Sequence, residues 1–268
     1  MLDLALVNYS IQDSYNYSIQ DSYLGPVLKT TTRKFTLSGK LLHCVFSRIL
    51  TTLKEKELWF HFGGQPTRFS IRKFHMVTRF KCSPDSEERE ENEEENDEDT
   101  GYSWAKTKQR HTTDVLLHIP RDTDEDSSEE RFCLAMLLLI ESTFLTLYKG
   151  CKFPIENLER AQDVEKLTNY PWGEDAFNVP MSSIKKNVAS NMMKPKHDIH
   201  GFPLALHIWI LESIPMLQTT YNRISLIERP TAFLCEKYTS LPSPQLSQIQ
   251  NIEASYHVSL VSSFNGLN

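Results

Sequence analysis

The chain has 268 residues, 40% of them hydrophobic and 10% aromatic, with a formal net charge of −6. That length holds one large domain or two small ones around a real core. The longest apolar run, LAMLLLI at 134–140, is far short of the roughly 18–20 residues that cross a bilayer, and MLDLALVNYS at the start has no basic n-region, so neither a membrane span nor a signal peptide is expected.

In chain order, 9–15 and 17–23 repeat YSIQDSY. Two copies are too few for a solenoid, and 1–23 reads as a disordered leader. In LSGKLLHCVFSRILTTLKEK, Leu41, Leu42, Val45, Phe46, Ile49, Leu50 and Leu53 form an apolar stripe. The stripe predicts a helix out to Leu53, with Ser38 as N-cap. ELWFHF and TRFS, separated by GGQP, predict a short hairpin with Gly63 and Gly64 at positive φ. Ser70 then caps a helix, IRKFHMVT. The Gly-Gly pair is no phosphate loop: the phosphate-binding glycine patterns are missing, and Pro66 removes a backbone donor.

Residues 83–130 form an acidic low-complexity insert: SPDSEEREENEEENDEDTG cannot bury enough apolar surface to fold, and YSWAKTKQRHTTDVLLHIP leaves room for one short helix. RFCLAMLLLIESTFLTLYKG predicts a buried helix ending at Gly150. IENLERAQDVEKLTNY predicts one amphipathic helix, and PWGEDAF a short helix stopped by Pro180. GFPLALHIWILESIPMLQ predicts another buried helix, with Pro203 in its first turn and Pro215 at its end. Residues 226–268 read as a weakly ordered tail.

Charge is divided along the chain. Residues 27–81 carry twelve Lys/Arg against Glu55 and Glu57, while 82–100 carry eleven Asp/Glu against Arg89. A basic block followed by an acidic one raises the expectation that the insert shields the block.

The blocks LSGKLLHCVFSRIL, ELWFHFGGQPTRFSIRKFHMVT, YPWGEDAF and DIHGFPLALHIWILESIPMLQ together resemble the plant "domain of unknown function nineteen eighty-five" family. The resemblance runs from about Leu24 to Ser225, giving a family domain of 24–82, the insert 83–130, and a helical half 131–225. It implies a transposon-associated family whose members often carry a SUMO-protease-like peptidase domain, absent from this sequence. No reaction comes with the family domain itself. Two departures from the family pattern stand out. Lys73 sits where an acidic residue usually completes a capping box with Ser70. Arg79 sits where Gly usually ends the helix, and costs about 1 kcal/mol of left-handed strain there.

Candidate chemistry is sparse. His207, in the peptidase-like HIW, lies in an apolar helical run with no Asp-Cys-Gly after it, and Cys235 has Leu and Glu beside it. His197, Asp198, His200 and His207 lack zinc-ligand spacing. Cys44, Cys82, Cys133, Cys151 and Cys235 are an odd set without CxxC and read as reduced thiols. Glu174 and Asp175 form either a catalytic pair or, better, acids favoured by a helix start. Trp59, Phe60, Phe62, Phe69 and Phe74 lie inside the basic block, as a base-stacking surface or as core.

The fold class expected is mainly α with one small β-hairpin (α+β), in a single compact domain with an extruded acidic loop. No catalytic, cofactor-binding or metal residue is assigned, and no cofactor is expected. The function expected is a non-enzymatic protein-interaction or targeting module, with an unknown protein partner. The alternatives are a nucleic-acid-associated module using 27–81 and, last, an enzyme. The protein is expected to be soluble and intracellular, without membrane association; SIKKN and KPK are too sparse to mark it as nuclear.

Overall fold

The structure is a computed structural model that describes residues 25, 37–54, 56–83, 102, 128–145, 153–191, 199–214, 216–217, 234–238 and 243–265. The YSIQDSY repeat, residues 84–101 of the insert, Gly150, Cys151, His197 and Asp198 lie outside these residues. In chain order the elements are α1 (Gly39–Phe46), β1 (Ile49–Leu50), β2 (Glu57–Phe62), β3 (Gln65–Ser70) and α2 (Ile71–Thr78). Then follow α3 (Ser128–Thr143), α4 (Ile155–Arg160), α5 (Val164–Asn169), α6 (Trp172–Asn191), α7 (Pro203–Ser213), α8 (Leu234–Lys237) and α9 (Leu246–Asn265). The architecture is mainly helical with one small antiparallel sheet of order β1-β2-β3.

The chain divides into two compact units. One takes in Met1–Leu28 and Phe80–Ala176, the other Lys29–Arg79 and Phe177–Asn268. The division follows neither of the expected halves, 24–82 and 131–225.

The second unit is built on the sheet. Phe62 pairs with Gln65 across Gly63 and Gly64, whose φ values of 56° and 79° suit a two-residue hairpin turn. The expected hairpin gains a third strand, because the helix predicted to reach Leu53 ends at Phe46. Ile49 and Leu50 pair with Phe60 and Trp59 instead. Cross-strand packing overrides the helical stripe there. Ser38 caps α1 as expected, its hydroxyl accepting from the Leu41 N–H at 3.3 Å. Ser70 occupies the N-cap of α2, but its side chain makes no capping bond, a correction to the expected cap. Phe60 and Phe69 meet Trp209 of α7, and Phe69 and Phe74 meet Phe177 of α6, with ring centroids 5.1–5.9 Å apart. These rings form the core of the unit.

Two prolines behave differently on α6 and α7. Pro203 starts α7, and Ile214 ends it one residue before Pro215, at φ −124° and ψ 82°, away from the helical region that a following proline disfavours. Pro180 does not stop α6, as expected, but lies inside it. A proline within a helix removes one hydrogen bond and crowds the preceding turn. Here Gly201, at φ +81°, lies against it; a Cβ on Gly201 would sit 2.5 Å from Pro180 Cδ. The stretch expected to be a weakly ordered tail instead carries α9. This helix packs on α1, with Ile249 and Ile252 buried and Glu253 paired to Arg48.

In the first unit, every residue from Phe132 to Ile140 on α3 is buried, as an all-round apolar helix requires. The helix ends at Thr143 rather than Gly150; the Leu145 N–H leaves the i→i−4 ladder and turns back five residues to the Ile140 carbonyl. The single helix expected over 155–170 is two. Asp163 breaks it by capping α5, its carboxylate accepting from the N–H groups of Glu165 and Lys166 at 2.8 and 3.1 Å.

Candidate functional site

Alternation along β2 and β3 decides where the basic, aromatic block points. Leu58, Phe60 and Phe62 face inward and are buried, as is Phe69 opposite Leu58. Phe74 on α2 is fully buried. Four of the five aromatics are therefore core. Trp59 is the exception: it lies on the solvent face, in a row with Leu50 of β1 and Arg68 of β3.

This solvent face has a defined chemistry. The Trp59 indole N–H donates to Glu57 Oε2 at 2.9 Å, and the Arg68 guanidinium lies 5.7 Å from the indole ring centroid. Arg68 and Lys54 also approach the Glu57 carboxylate, at 3.4 and 4.0 Å. Around this cluster Leu50, Leu53, His61 and Pro66 are exposed, Leu53 completely. The edge of β3 is blunted. The His61 N–H donates to the Arg48 carbonyl, away from β3, so Pro66 opposite it turns its donor-less nitrogen to the free edge. The arrangement suits side-chain recognition across the sheet face better than addition of a strand.

The cations of the block do not share one face. Arg48 is bound to Glu253, its Nε–H donating to Oε1 at 2.7 Å, and Lys81 is buried. Lys40, Lys54, Lys56, Arg68, Arg72 and Arg79 are exposed, distributed over α1, the sheet and α2. The sequence reading missed Leu50 and Leu53 as surface groups because it assigned them to a buried helical stripe.

The YPWGED segment of the first unit is largely accounted for by structure. Trp172 Nε1–H donates to the Leu167 carbonyl at 2.8 Å, and the Gly173 N–H to the Lys81 carbonyl at 2.8 Å. A Cβ on Gly173 would lie 2.6 Å from that oxygen, so no larger residue fits. The Tyr170 hydroxyl donates to Asp175 Oδ2 at 3.0 Å, while Arg160 stacks 4.0 Å from the Tyr170 ring centroid. Arg160 also donates to Asn157 Oδ1 at 2.6 Å, and Asn157 in turn donates to Glu141 Oε1 at 2.5 Å. Burial pushes both the Asp175 and Glu141 carboxyls above the usual carboxylate range; the bonds from Tyr170 and Asn157 act against it. Burial also pushes Tyr170 up to about 12, with the Asp175 charge adding to it. Both Glu174 and Asp175 lie in the first turn of α6, as a helix dipole favours.

The remaining candidates disperse. His207 is fully buried on α7, its Nδ1 accepting from the Ser38 N–H at 3.4 Å, so it helps hold the start of α1. The His200 N–H donates to Ser183 Oγ at 3.1 Å. Cys235 is buried, and burial pushes the Cys82 and Cys133 thiols up to about 12, far from a reactive thiolate. Among the described residues, no group of three or more His, Cys, Asp or Glu could hold a metal ion, and no helix is long and apolar enough to cross a membrane.

One family model, described as a domain of unknown function (DUF1985), matches the chain over residues 46–183. Comparison with curated proteins returns no match, and neither does comparison with solved structures.

Proposed function

Because the chain belongs to the DUF1985 family, we propose that it works as that family's domain in the form of a non-enzymatic protein-interaction module, binding through the solvent face of its sheet. The observation that carries this reading is the solvent-facing row of exposed Leu50, half-buried Trp59 and exposed Arg68 beside a fully exposed Leu53. Tryptophan and arginine are the side chains most often found at the energetic centre of protein interfaces. An exposed apolar group rimmed by charge is the form such a surface takes. Two facts weigh against a nucleic-acid track: Phe60, Phe62, Phe69 and Phe74 of the block are core, and Glu57 places a carboxylate among the cations. The non-enzymatic part rests on the Glu141 and Asp175 carboxyls, which are engaged by Asn157 and Tyr170 rather than directed at an open position. Free cysteines, Cys44, Cys82, Cys133 and Cys235, suit a reducing, intracellular setting.

The test is affinity capture with the full chain and with a Leu50→Ser/Trp59→Ser variant, each with and without nuclease. Both positions are on the surface, so the variant keeps its fold, checked by circular dichroism. Partners that survive nuclease and disappear with the variant are expected. Partners lost to nuclease would favour the nucleic-acid alternative, and partners kept by the variant would remove the sheet face from the proposal.

A further inference from the structure

Helix α2 presents a second surface, with a different chemistry. Arg72, His75, Met76 and Arg79 recur at i, i+3, i+4 and i+7 and are all exposed, while Phe74, Val77 and Thr78 turn inward. Met76 is 52% exposed at the centre of this face. The segment 71–81 contains no acidic residue. Among the described residues, no hydrogen bond or ion pair engages the side chain of Arg72 or Arg79.

Arg79 adds an independent observation. It ends α2 at φ 60° and ψ 15°, the one non-glycine with positive φ among the described residues. Glycine takes that conformation freely, whereas an L side chain is strained in it. A strained residue whose charge stands in solvent points to a use outside the stability of the fold.

We infer that this face of α2 docks an acidic polypeptide segment with an apolar side chain between its acids. Guanidinium groups bind carboxylates through paired hydrogen bonds, and an exposed thioether adapts to an apolar side chain. The spacing sets the pattern. Arg72 and Arg79 are seven residues apart, about 10 Å along a helix, and an extended peptide covers that in about three residues. Met76 lies about 6 Å from Arg72 on the same scale, or about two peptide residues. Side chains of an extended chain alternate in direction, so the ligand is an acid, an apolar residue two positions on, and a second acid two positions further, all on one side, with the long arginine side chains taking up the remaining few ångströms. A nucleic-acid backbone would meet the two guanidinium groups but leave Met76 unmatched. Phe74 is buried, which leaves the small His75 imidazole as the one ring on this face to stack on bases. This inference needs neither Leu50 nor Trp59, so it stands or falls separately from the sheet-face reading.

The test is fluorescence anisotropy with the full chain and a labelled peptide containing Glu-Gly-Leu-Gly-Glu in a Gly/Ser background, at low and at physiological salt. Binding is expected, weakening as salt rises. Arg79→Gly should weaken it at least about threefold, the scale of an exposed charge pair. That variant relieves backbone strain, and circular dichroism at the assay temperature checks that its loss of binding does not come from unfolding. Met76→Gln, which keeps every charge, should also weaken it, as should a peptide with the same composition and its two acids adjacent. Unchanged binding by both variants would overturn the inference. So would tighter binding to a single-stranded oligonucleotide that is indifferent to Met76→Gln, which would make the face a phosphate contact.

Discussion

Arg79 and Asp175 show how individual residues set stability here. Replacing Arg79 with glycine removes the left-handed strain and should stabilise the protein by about 1 kcal/mol, less the conformational freedom that glycine adds to the unfolded chain. Chemical denaturation of the variant should show a higher midpoint at unchanged slope; a lower midpoint would mean that the guanidinium contributes to the fold. Asp175 and Glu141 make a pH prediction. Burial raises both carboxyls, so the folded chain takes up their protons more readily than the unfolded one. Their contribution is therefore greatest below the unfolded carboxylate pKa of about 4 and is lost as pH rises through the raised folded values. The Asp175→Asn/Glu141→Gln variant retains acceptors for Tyr170 and Asn157 and should flatten that decline. Melting both proteins across acidic and neutral pH checks this; parallel pH profiles would contradict it. At this scale Arg79 was legible in the sequence, because the resembled family usually ends this helix with Gly and Arg takes its place. The Tyr170–Asp175 bond was not, since hydrogen-bond partners depend on how the turn before α6 is closed.

At the scale of elements, Pro180 and Gly201 form one device. Alanine at Gly201 meets both the positive φ and Pro180 Cδ at 2.5 Å. The strain and the overpacking together should destabilise by about 2–4 kcal/mol. Adding Pro180→Ala removes the Cδ and should recover part of that loss, a coupling that a double-mutant cycle of thermal melts measures. Additive losses would show that the two residues do not act together. Sequence patterns gave the right type for most elements and failed at particular joints. The stripe through Leu53 was helical in period, yet Ile49 and Leu50 entered the sheet. The apolar positions from Ile155 to Leu167 fit one helix, and Asp163 divided it. Pro180 read as a stop because its compensation comes from Gly201, 21 residues away in the chain. Each failure is a tertiary contact prevailing over a local preference. The candidate surface was lost for the same reason: exposure of Leu50 and Leu53 follows only once β1 is placed.

For the molecule as a whole, the family match at 46–183 leaves out most of α1 and all of α9. Those two helices pack on each other, joined by the Arg48–Glu253 pair and by buried Ile249 and Ile252. Burying two isoleucines contributes about 3–6 kcal/mol before any effect of the ion pair. A chain ending at residue 242 should therefore lose a large share of a typical 5–15 kcal/mol stability. Denaturant melts compare it with the full chain, and identical midpoints would show that α9 rests on α1 without supporting it.

The Arg48–Glu253 pair joins residues 205 positions apart in the chain. At roughly 5–20 residues per second, a ribosome needs about 10–40 s to deliver Glu253 after Arg48 has emerged. Through that interval α1 has no α9 to cover it. The rings of β2 and β3 also wait, for Phe177 and Trp209. All residues of the other unit, by contrast, have been synthesised once Ala176 is added. The nascent chain thus carries an unfinished aromatic sheet through most of its own synthesis. Its first-made strands depend on protection through that interval, and a ribosome stalled between Ala176 and Trp209 would release a product whose sheet never receives its cover.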